Sequence, residues 1–177
     1  MSKNILVLAG SPRKGGNSDI LCNQFIKGAE ESGNTVEKIY VNDMNIGGCQ
    51  ACYSCRGTGE CFIKDDMVEI LDKMIKADVI VMATPVYFYT MDGQMKTLID
   101  RTLPRYTEIT NKEFYFIATA AAGERAMERT IDGFRGFTDC LYGAEIKGIV
   151  YGSGAWQKGE IEKSPKMEEA YKMGLNA

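Results

Sequence analysis

The sequence predicts an α/β fold in which helices cover both faces of a five-stranded parallel sheet. Three observations indicate it. Short apolar segments have the continuous hydrophobicity of strands that are buried on both faces. Segments with helical spacing of apolar residues follow them. Strands and helices alternate five times along the 177 residues, which predicts a single domain over residues 1–177.

The first strand and helix come at the start of the chain. Residues 5–9 (ILVLA) form a continuous apolar run that ends at Gly-Ser-Pro, which predicts a strand followed by a loop. Asn17 or Ser18 can cap the next helix, and Gly33 supplies its stop. Residues 36–41 then predict the second strand.

The second helix follows a stretch that is rich in cysteine. Asp65 or Asp66 can cap this helix at its N-terminus. Its apolar residues have the i, i+3, i+4, i+7, i+8 spacing of a half-buried helix: Met67, Ile70, Leu71, Met74 and Ile75. Residues 79–83 (VIVMA) predict the third strand, which ends at Thr84 and Pro85.

The second half of the chain repeats this pattern. A third helix is predicted to end near Pro104, and a strand, a helix and a strand follow at residues 114–119, 124–142 and 146–151. Residues 152–163 lack a pattern and are interpreted as a surface loop, before a short helix that starts at Ser164-Pro165. Right-handed crossovers leave few topologies, and the common strand orders begin 3-2-1-4-5 or 2-1-3-4-5.

Composition and charge exclude several classes of function. The net charge is −3 and the basic residues are scattered, so the sequence lacks the clustered basic residues that are typical of nucleic-acid binding. The apolar runs are too short to span a bilayer, and the start of the chain lacks a signal-peptide cleavage site, so we expect a cytoplasmic protein. Histidine is absent, which excludes a Ser-His-Asp triad and a histidine general base.

The loop after the first strand, GSPRKGGNS at residues 10–18, predicts an anion site. Ligands of such sheets bind at the carboxyl ends of strands. This loop runs into a helix N-terminus, whose free N–H groups and dipole favour an anion. Arg13 adds a positive charge, and Ser11, Asn17 and Ser18 can donate hydrogen bonds to phosphate. The loop matches neither a Walker A motif nor a dinucleotide fingerprint.

A second loop, TPVYFYT at residues 84–90, follows the third strand and is rich in aromatic residues. If the strand order is 2-1-3-4-5, this loop faces the anion loop across one crevice. A phosphate site beside an aromatic site fits a mononucleotide with a flat ring. Alternatively, Tyr87, Phe88 and Tyr89 pack at a surface or dimer interface. Small residues at 119–124 would let a third loop approach the same ligand.

These motifs, in this order, resemble the flavodoxin-like NADPH-dependent FMN reductase superfamily. GSPRKGGNS, PVYFYTMDGQMKTLIDR and AAAGE carry the resemblance, which covers nearly the whole chain. It implies a flavodoxin-like three-layer sandwich of order 2-1-3-4-5 and an oxidoreductase with one FMN. The implied FMN contacts are Ser11, Arg13, Gly16, Asn17 and Ser18 at the phosphate, and Pro85, Val86, Tyr87, Phe88, Ala121, Ala122 and Gly123 at the ring.

The resemblance includes a Lys-x-x-x-Asp-Arg pattern at Lys96, Asp100 and Arg101. This pattern has two interpretations. Lys96 and Asp100 form an i, i+4 ion pair on the helix, or the residues have a direct catalytic role. No side chain need act as acid or base, because the flavin supplies the redox chemistry. The resemblance also implies a homodimer or tetramer, with NAD(P)H, a small redox substrate or a ferredoxin-like donor as partner.

The loop after the second strand holds four of the six cysteines: Cys49, Cys52, Cys55 and Cys61. Their spacing without histidine fits a [4Fe–4S] cluster, a Cys₄ zinc site or free redox thiols. The compact motif resembles iron–sulfur flavoproteins, which implies that these cysteines ligate a [4Fe–4S] cluster. Cys22 and Cys140 are interpreted as buried apolar side chains.

Three functions remain open from the sequence. The first is an electron-transferring iron–sulfur flavoprotein, since FMN accepts two electrons at once and a cluster carries one. The second is an NAD(P)H-dependent reductase of flavins, quinones or nitro compounds that has FMN and no cluster. The third is not an enzyme but a zinc- or thiol-based redox sensor or electron carrier.

Overall fold

The computed structural model describes residues 2–177, and a mostly parallel sheet runs through its centre. The strands are β1 Asn4–Ala9, β2 Thr35–Tyr40, β3 Val79–Tyr87, β4 Thr90–Met91, β5 Glu113–Ala120 and β6 Glu145–Ser153. The helices are α1 Asn17–Glu31, α2 Met67–Lys76, α3 Gly93–Asp100, α4 Glu128–Thr138 and α5 Lys166–Leu175. The strand order is β2-β1-β3-β5-β6, with β4 paired antiparallel to the end of β3.

This order confirms the predicted 2-1-3-4-5 arrangement, in which β5 and β6 are the fourth and fifth strands. The short strand β4 is an addition to the prediction. It forms because β3 continues through Pro85 to Tyr87 and the chain then turns back at Phe88 and Tyr89. Both turn residues have positive φ, 49° and 65°, as a two-residue hairpin requires. The predicted loop at 84–90 is therefore a hairpin.

Each face of the sheet has its own apolar core, because side chains alternate along a strand. Leu6 and Leu8 of β1 pack with residues of α2, α3 and α4 on one face. Ile5 and Val7 pack with residues of α1 and α5 on the other. The layers therefore hold β1 and β3 side by side in the centre of the sheet. No helix within residues 2–177 is long and apolar enough to cross a bilayer.

Two helices are shorter than predicted. In place of the helix at 124–142, the 3₁₀ turn Glu124–Ala126 precedes α4, which ends at Thr138. Cys140 therefore lies in the turn after α4 and is exposed, so its interpretation as a buried side chain is wrong. Cys22 is buried on α1 as predicted. The helix predicted to end near Pro104 ends at Asp100, and turns continue from there.

The cap of α1 differs from the predicted one, whereas one of the two residues predicted to cap α2 does contact the start of that helix. The residue before α1 is Gly16, and no side chain caps that helix. At α2, Asp65 Oδ1 accepts a hydrogen bond from the Met67 N–H at 3.2 Å. Asp66 instead accepts from the Asn45 N–H at 2.7 Å, so it ties the preceding loop to the start of the helix.

Candidate functional site

A cavity of about 530 Å³ lies at the carboxyl end of the sheet, beside the neighbouring strands β1 and β3. The loop after β1, the β3–β4 hairpin, the end of β5 and the chain after β6 line it. All predicted flavin contacts except Gly123 are in its wall: Ser11, Arg13, Gly16, Asn17, Ser18, Pro85, Val86, Tyr87, Phe88, Ala121 and Ala122. The topology thus brings together three segments that are distant in sequence.

The loop between β1 and α1 is held in place by the buried carboxylate of Asp19. The Gly15 N–H donates to Asp19 Oδ2 at 2.7 Å, and Lys38 pairs with Oδ1. Gly15 has a φ of 68°, a conformation that favours glycine. Because Lys38 balances the charge of Asp19, this carboxylate shapes the loop without making the cavity acidic.

The cationic side chains of this loop point to different places. Lys14 forms an ion pair with Asp43 at 2.5 Å, away from the cavity. Arg13 lines the cavity and has no carboxylate partner within residues 2–177. Its own N–H donates to Ser11 Oγ at 3.1 Å, which leaves the hydroxyl hydrogen of buried Ser11 available. The anion loop therefore presents one free guanidinium and hydroxyl groups to the cavity.

Asn17 contacts the chain that follows β6. Its Oδ1 accepts from the N–H groups of Gly159 and Ile161, at 3.1 and 3.4 Å, and its Nδ2 donates to Gln157 O at 2.9 Å. These bonds fasten residues 155–159, which we call the return segment, to the first turn of α1. The side chain that was predicted to contact phosphate thus also builds a wall of the cavity.

Sequence reasoning missed this wall. Four consecutive residues of the return segment line the cavity: Ala155, Trp156, Gln157 and Lys158. The stretch 152–163 has no periodic pattern, and the absence of a pattern predicts a surface loop. One signal was present, because Trp156 is the only tryptophan of the chain and lies between Gly154 and Gly159. A bulky aromatic residue between turn formers is unusual for a solvated loop.

Thr84 and Asp92 form a buried pair beside Gly10 that the sequence did not reveal. Thr84 Oγ1 donates to Asp92 Oδ2 at 2.9 Å, and Asp92 Oδ1 accepts from the Met95 N–H at 2.8 Å, which caps α3. A Cβ on Gly10 would lie 2.5 Å from Asp92 Oδ2, so only glycine fits there. Burial raises the pKa of Asp92, and its hydrogen bonds oppose that rise.

The rim of the cavity is aromatic. Phe88, at the tip of the hairpin, is fully exposed, and Tyr87 and Tyr89 beside it are partly exposed. Trp156 of the return segment is 73% exposed and also lines the cavity. Arg129 lies over the ring of Tyr89, 5.8 Å from its centroid, whereas Phe88 and Trp156 are largely exposed. They can pack against a flat ligand or against a second chain.

The four clustered cysteines line a separate small cavity of about 20 Å³, together with Arg101 and Pro104. Within residues 2–177, no three Cys, Asp or Glu side chains are placed to hold one metal ion. A single zinc ion requires all its ligands at about 2–2.3 Å from one point, whereas a four-iron cluster takes one thiolate at each iron. Four thiols without histidine are therefore a donor set that suits a cluster, with one thiolate for each iron.

Arg101 closes both ends of this cysteine loop, which we define as residues 47–65. Its Nη1 donates to Gly47 O at 2.6 Å and to Asp65 Oδ2 at 2.7 Å, and its Nη2 donates to Asp65 Oδ1 at 2.9 Å. Although burial favours the neutral acid, Arg101 and the N–H groups of Gly47 and Met67 lower the pKa of Asp65. The Nε–H of Arg101 is buried and has no partner within residues 2–177.

The Lys-x-x-x-Asp-Arg pattern thus divides into two parts. Lys96 and Asp100 form an exposed i, i+4 ion pair at 2.6 Å, as their spacing predicts. Neither lines the large cavity. Arg101 is 2% exposed and serves the cysteine loop instead.

A parallel sheet of this order with a nucleotide-sized cavity beside β1 and β3 defines a flavodoxin-like α/β protein. The chain belongs to the NADPH-dependent FMN reductase family, whose model matches residues 3–157. The family description names FMN and NADPH, in agreement with the predicted cofactor and reductant. The resemblance stated from the motifs is thereby confirmed.

Relatives and solved structures agree with this family. The chain is 34% identical to an iron–sulfur flavoprotein of Methanocaldococcus jannaschii over 75% of this chain and 70% of that protein. It is 40% identical to an iron–sulfur flavoprotein of Archaeoglobus fulgidus over 55% of this chain, but the match spans only 44% of that longer relative. An azoreductase structure from Bacillus anthracis has the same fold, with a TM-score of 0.78, 16% identity and full coverage of both chains.

Proposed function

We propose that the protein is an FMN-dependent oxidoreductase that binds one FMN in the large cavity. The observation that carries this proposal is the meeting of the predicted phosphate and ring contacts in one wall, at the switch point between β1 and β3. The family to which the chain belongs supports it independently.

The phosphate of FMN is assigned to the loop between β1 and α1. Arg13 supplies a charge-assisted hydrogen bond there, and Ser11, Ser18 and the N–H groups of the first turn of α1 supply neutral ones. The ring is assigned to the space between the hairpin residues 85–88 and the alanines at 120–122, whose small side chains let the backbone come close. FMN supplies the redox chemistry, since it takes up two electrons together and releases them singly.

Flavin titration tests this proposal directly. Protein freed of flavin is titrated with FMN, and the change in flavin fluorescence is followed to saturation. We expect one FMN per chain, followed by bleaching of the bound flavin when NADPH is added without oxygen. Absence of saturable FMN binding contradicts the proposal. Bleaching by a reduced ferredoxin but not by NADPH leaves FMN binding in place and identifies a one-electron donor.

We further propose that the cysteine loop binds a [4Fe–4S] cluster through Cys49, Cys52, Cys55 and Cys61. The shared cavity of the four thiols supports it, and so do the names of the curated relatives. The cluster would pass single electrons between the flavin and a ferredoxin-like partner. The second candidate is a cluster-free NAD(P)H-dependent reductase, which the description of the family supports.

Metal analysis of protein made without oxygen separates these candidates. A cluster predicts about four irons and as many sulfides per chain, which Cys55→Ser removes. Cys140→Ser is the control, because Cys140 is an exposed free thiol that lies outside the cysteine loop. FMN without iron supports the cluster-free reductase. Zinc without flavin contradicts both candidates and supports a redox sensor.

A further inference from the structure

We propose that Lys158 is a second cation of the phosphate site, carried there by the return segment. This inference rests on the proposed binding of FMN and adds a residue that the loop after β1 does not contain. It follows from three features of the structure: the position of the Lys158 side chain, the bonds that fix its segment and the lack of a carboxylate partner.

The side chain of Lys158 lies directly on the anion loop. A Cβ built on Gly15 would lie 3.0 Å from Lys158 Cε and 3.2 Å from Lys158 Nζ. Both Lys158 and Arg13 line the large cavity. Gly15 therefore has two reasons to be glycine, its positive φ and the space that it leaves for the lysine.

The return segment is fixed from two sides, so this position is not that of a free loop. From the first turn of α1, Asn17 makes two hydrogen bonds to it, at Gln157 and Gly159, and a third to Ile161 just beyond it. On the other side, Glu160 Oε2 accepts from the N–H groups of Trp156 and Gln157, at 2.7 and 2.8 Å. Glu160 is the carboxylate nearest to Lys158 in sequence. Because it accepts these two hydrogen bonds, it is directed at the backbone of the return segment and does not pair with Lys158.

The charges around the loop leave two cations without partners. Lys14 is paired with Asp43, and Lys38 is paired with Asp19. Arg13 and Lys158 line the cavity and have no ion pair within residues 2–177. A phosphate monoester carries a charge of about −1.5 to −2 at pH 7, which two cations match. The site is therefore built for a terminal phosphate, and it distinguishes FMN from riboflavin.

Titration of flavin-free protein with FMN and with riboflavin tests this assignment. Lys158→Gln should raise the Kd for FMN by about tenfold, the loss expected for one charge-assisted contact on a mobile side chain, and leave the Kd for riboflavin unchanged. Lys158→Arg should keep most of the affinity. Lys163→Gln is the control, since Lys163 is exposed nearby and does not line the cavity. The Kd for FMN should also rise less steeply with salt in Lys158→Gln than in the wild type.

Each contrary result has one meaning. An unchanged Kd for FMN in Lys158→Gln overturns the assignment of Lys158 while the FMN site stands. An equal loss of FMN and riboflavin affinity overturns it as well, because the lysine then acts on the shape of the cavity and not on phosphate. Failure of the wild-type protein to bind either flavin overturns the proposed function itself.

Discussion

At the scale of single residues, the most specific prediction concerns Arg13 and the binding of FMN. Arg13→Ala should weaken FMN binding by about tenfold to a hundredfold, because it removes a charge-assisted phosphate contact. Riboflavin, which lacks the phosphate, should bind as before. Lys14→Ala is the matched control, since this neighbouring cation is paired with Asp43 away from the cavity. An unchanged Kd for FMN in Arg13→Ala would show that the phosphate lies elsewhere.

The raised pKa of Asp92 predicts that the stability of the protein depends on pH. Because burial raises its pKa in the folded protein, the folded state binds the proton more tightly than the unfolded state does. The contribution of Asp92 to stability therefore falls as pH rises from the ordinary carboxyl pKa through the raised one. Asp92→Asn keeps the cap on α3 and removes this titration, so the wild type should lose stability relative to the variant as pH rises.

Urea unfolding of both proteins between about pH 4 and pH 7 measures this difference. The comparison with the variant cancels the opposite effect of Asp65, whose pKa is lowered and which both proteins share. A difference in free energy of unfolding that stays constant over this range would contradict the prediction.

At the scale of elements, the cysteine loop depends on one side chain from the end of α3. Arg101→Ala leaves the buried Asp65 carboxylate without its partner, so it should lower the free energy of unfolding by about 3–5 kcal/mol. Arg105→Ala is the control, because Arg105 pairs with the more exposed Asp72 and Glu108 and should cost no more than about 1 kcal/mol.

Limited proteolysis adds a local measurement to the unfolding curve. In Arg101→Ala, cleavage within residues 47–65 should become faster than cleavage elsewhere, because only the Gly47 N–H bond to Asp65 then joins the two ends of the loop. Equal unfolding curves for Arg101→Ala and Arg105→Ala would mean that the hydrogen bonds of Arg101 do not hold the loop.

The elements also explain which parts of the site could be predicted. The anion loop and the hairpin carry local signals, namely glycines before a helix and aromatics after a strand, and both line the cavity. Lys158 has no such signal, because a lysine in an unpatterned stretch fits any surface. Arg101 belongs to the Lys-x-x-x-Asp-Arg pattern, but that pattern did not indicate that Arg101 contacts the cysteine loop. Their positions depend on hydrogen bonds between segments that are far apart in sequence.

At the scale of the whole molecule, the fold was predictable because buried parallel strands and half-buried helices have strong periodic signals. The lengths of the helices were not, since their ends depend on tertiary contacts. The hairpin shows the same limit. Phe88 and Tyr89 adopt positive φ although neither residue favours it, so the pairing of β4 with β3 overrides their local preference.

The packing of α1 against α5 couples residues 166–175 to the proposed FMN site. A Cβ on Gly28 of α1 would overlap the carbonyl oxygen of Tyr171, and one on Gly174 of α5 would overlap that of Phe25. The two backbones therefore touch directly. Because α1 begins at the anion loop and α5 follows the return segment, a displacement between them shifts both walls of the phosphate site.

Gly28→Ala should accordingly force the helices apart and lower the free energy of unfolding by about 1–3 kcal/mol, the usual cost of overpacking. It should also weaken FMN binding, although Gly28 does not line the cavity.

Gly136→Ala is the matched control, because Gly136 lies in the exposed part of α4 with nothing within 4 Å of an added Cβ. That substitution should stabilise the protein by about 0.5–1 kcal/mol through helix propensity. Thermal unfolding and FMN titration of the two variants measure both effects, and a Gly28→Ala protein as stable as Gly136→Ala would contradict the direct contact of the two helices.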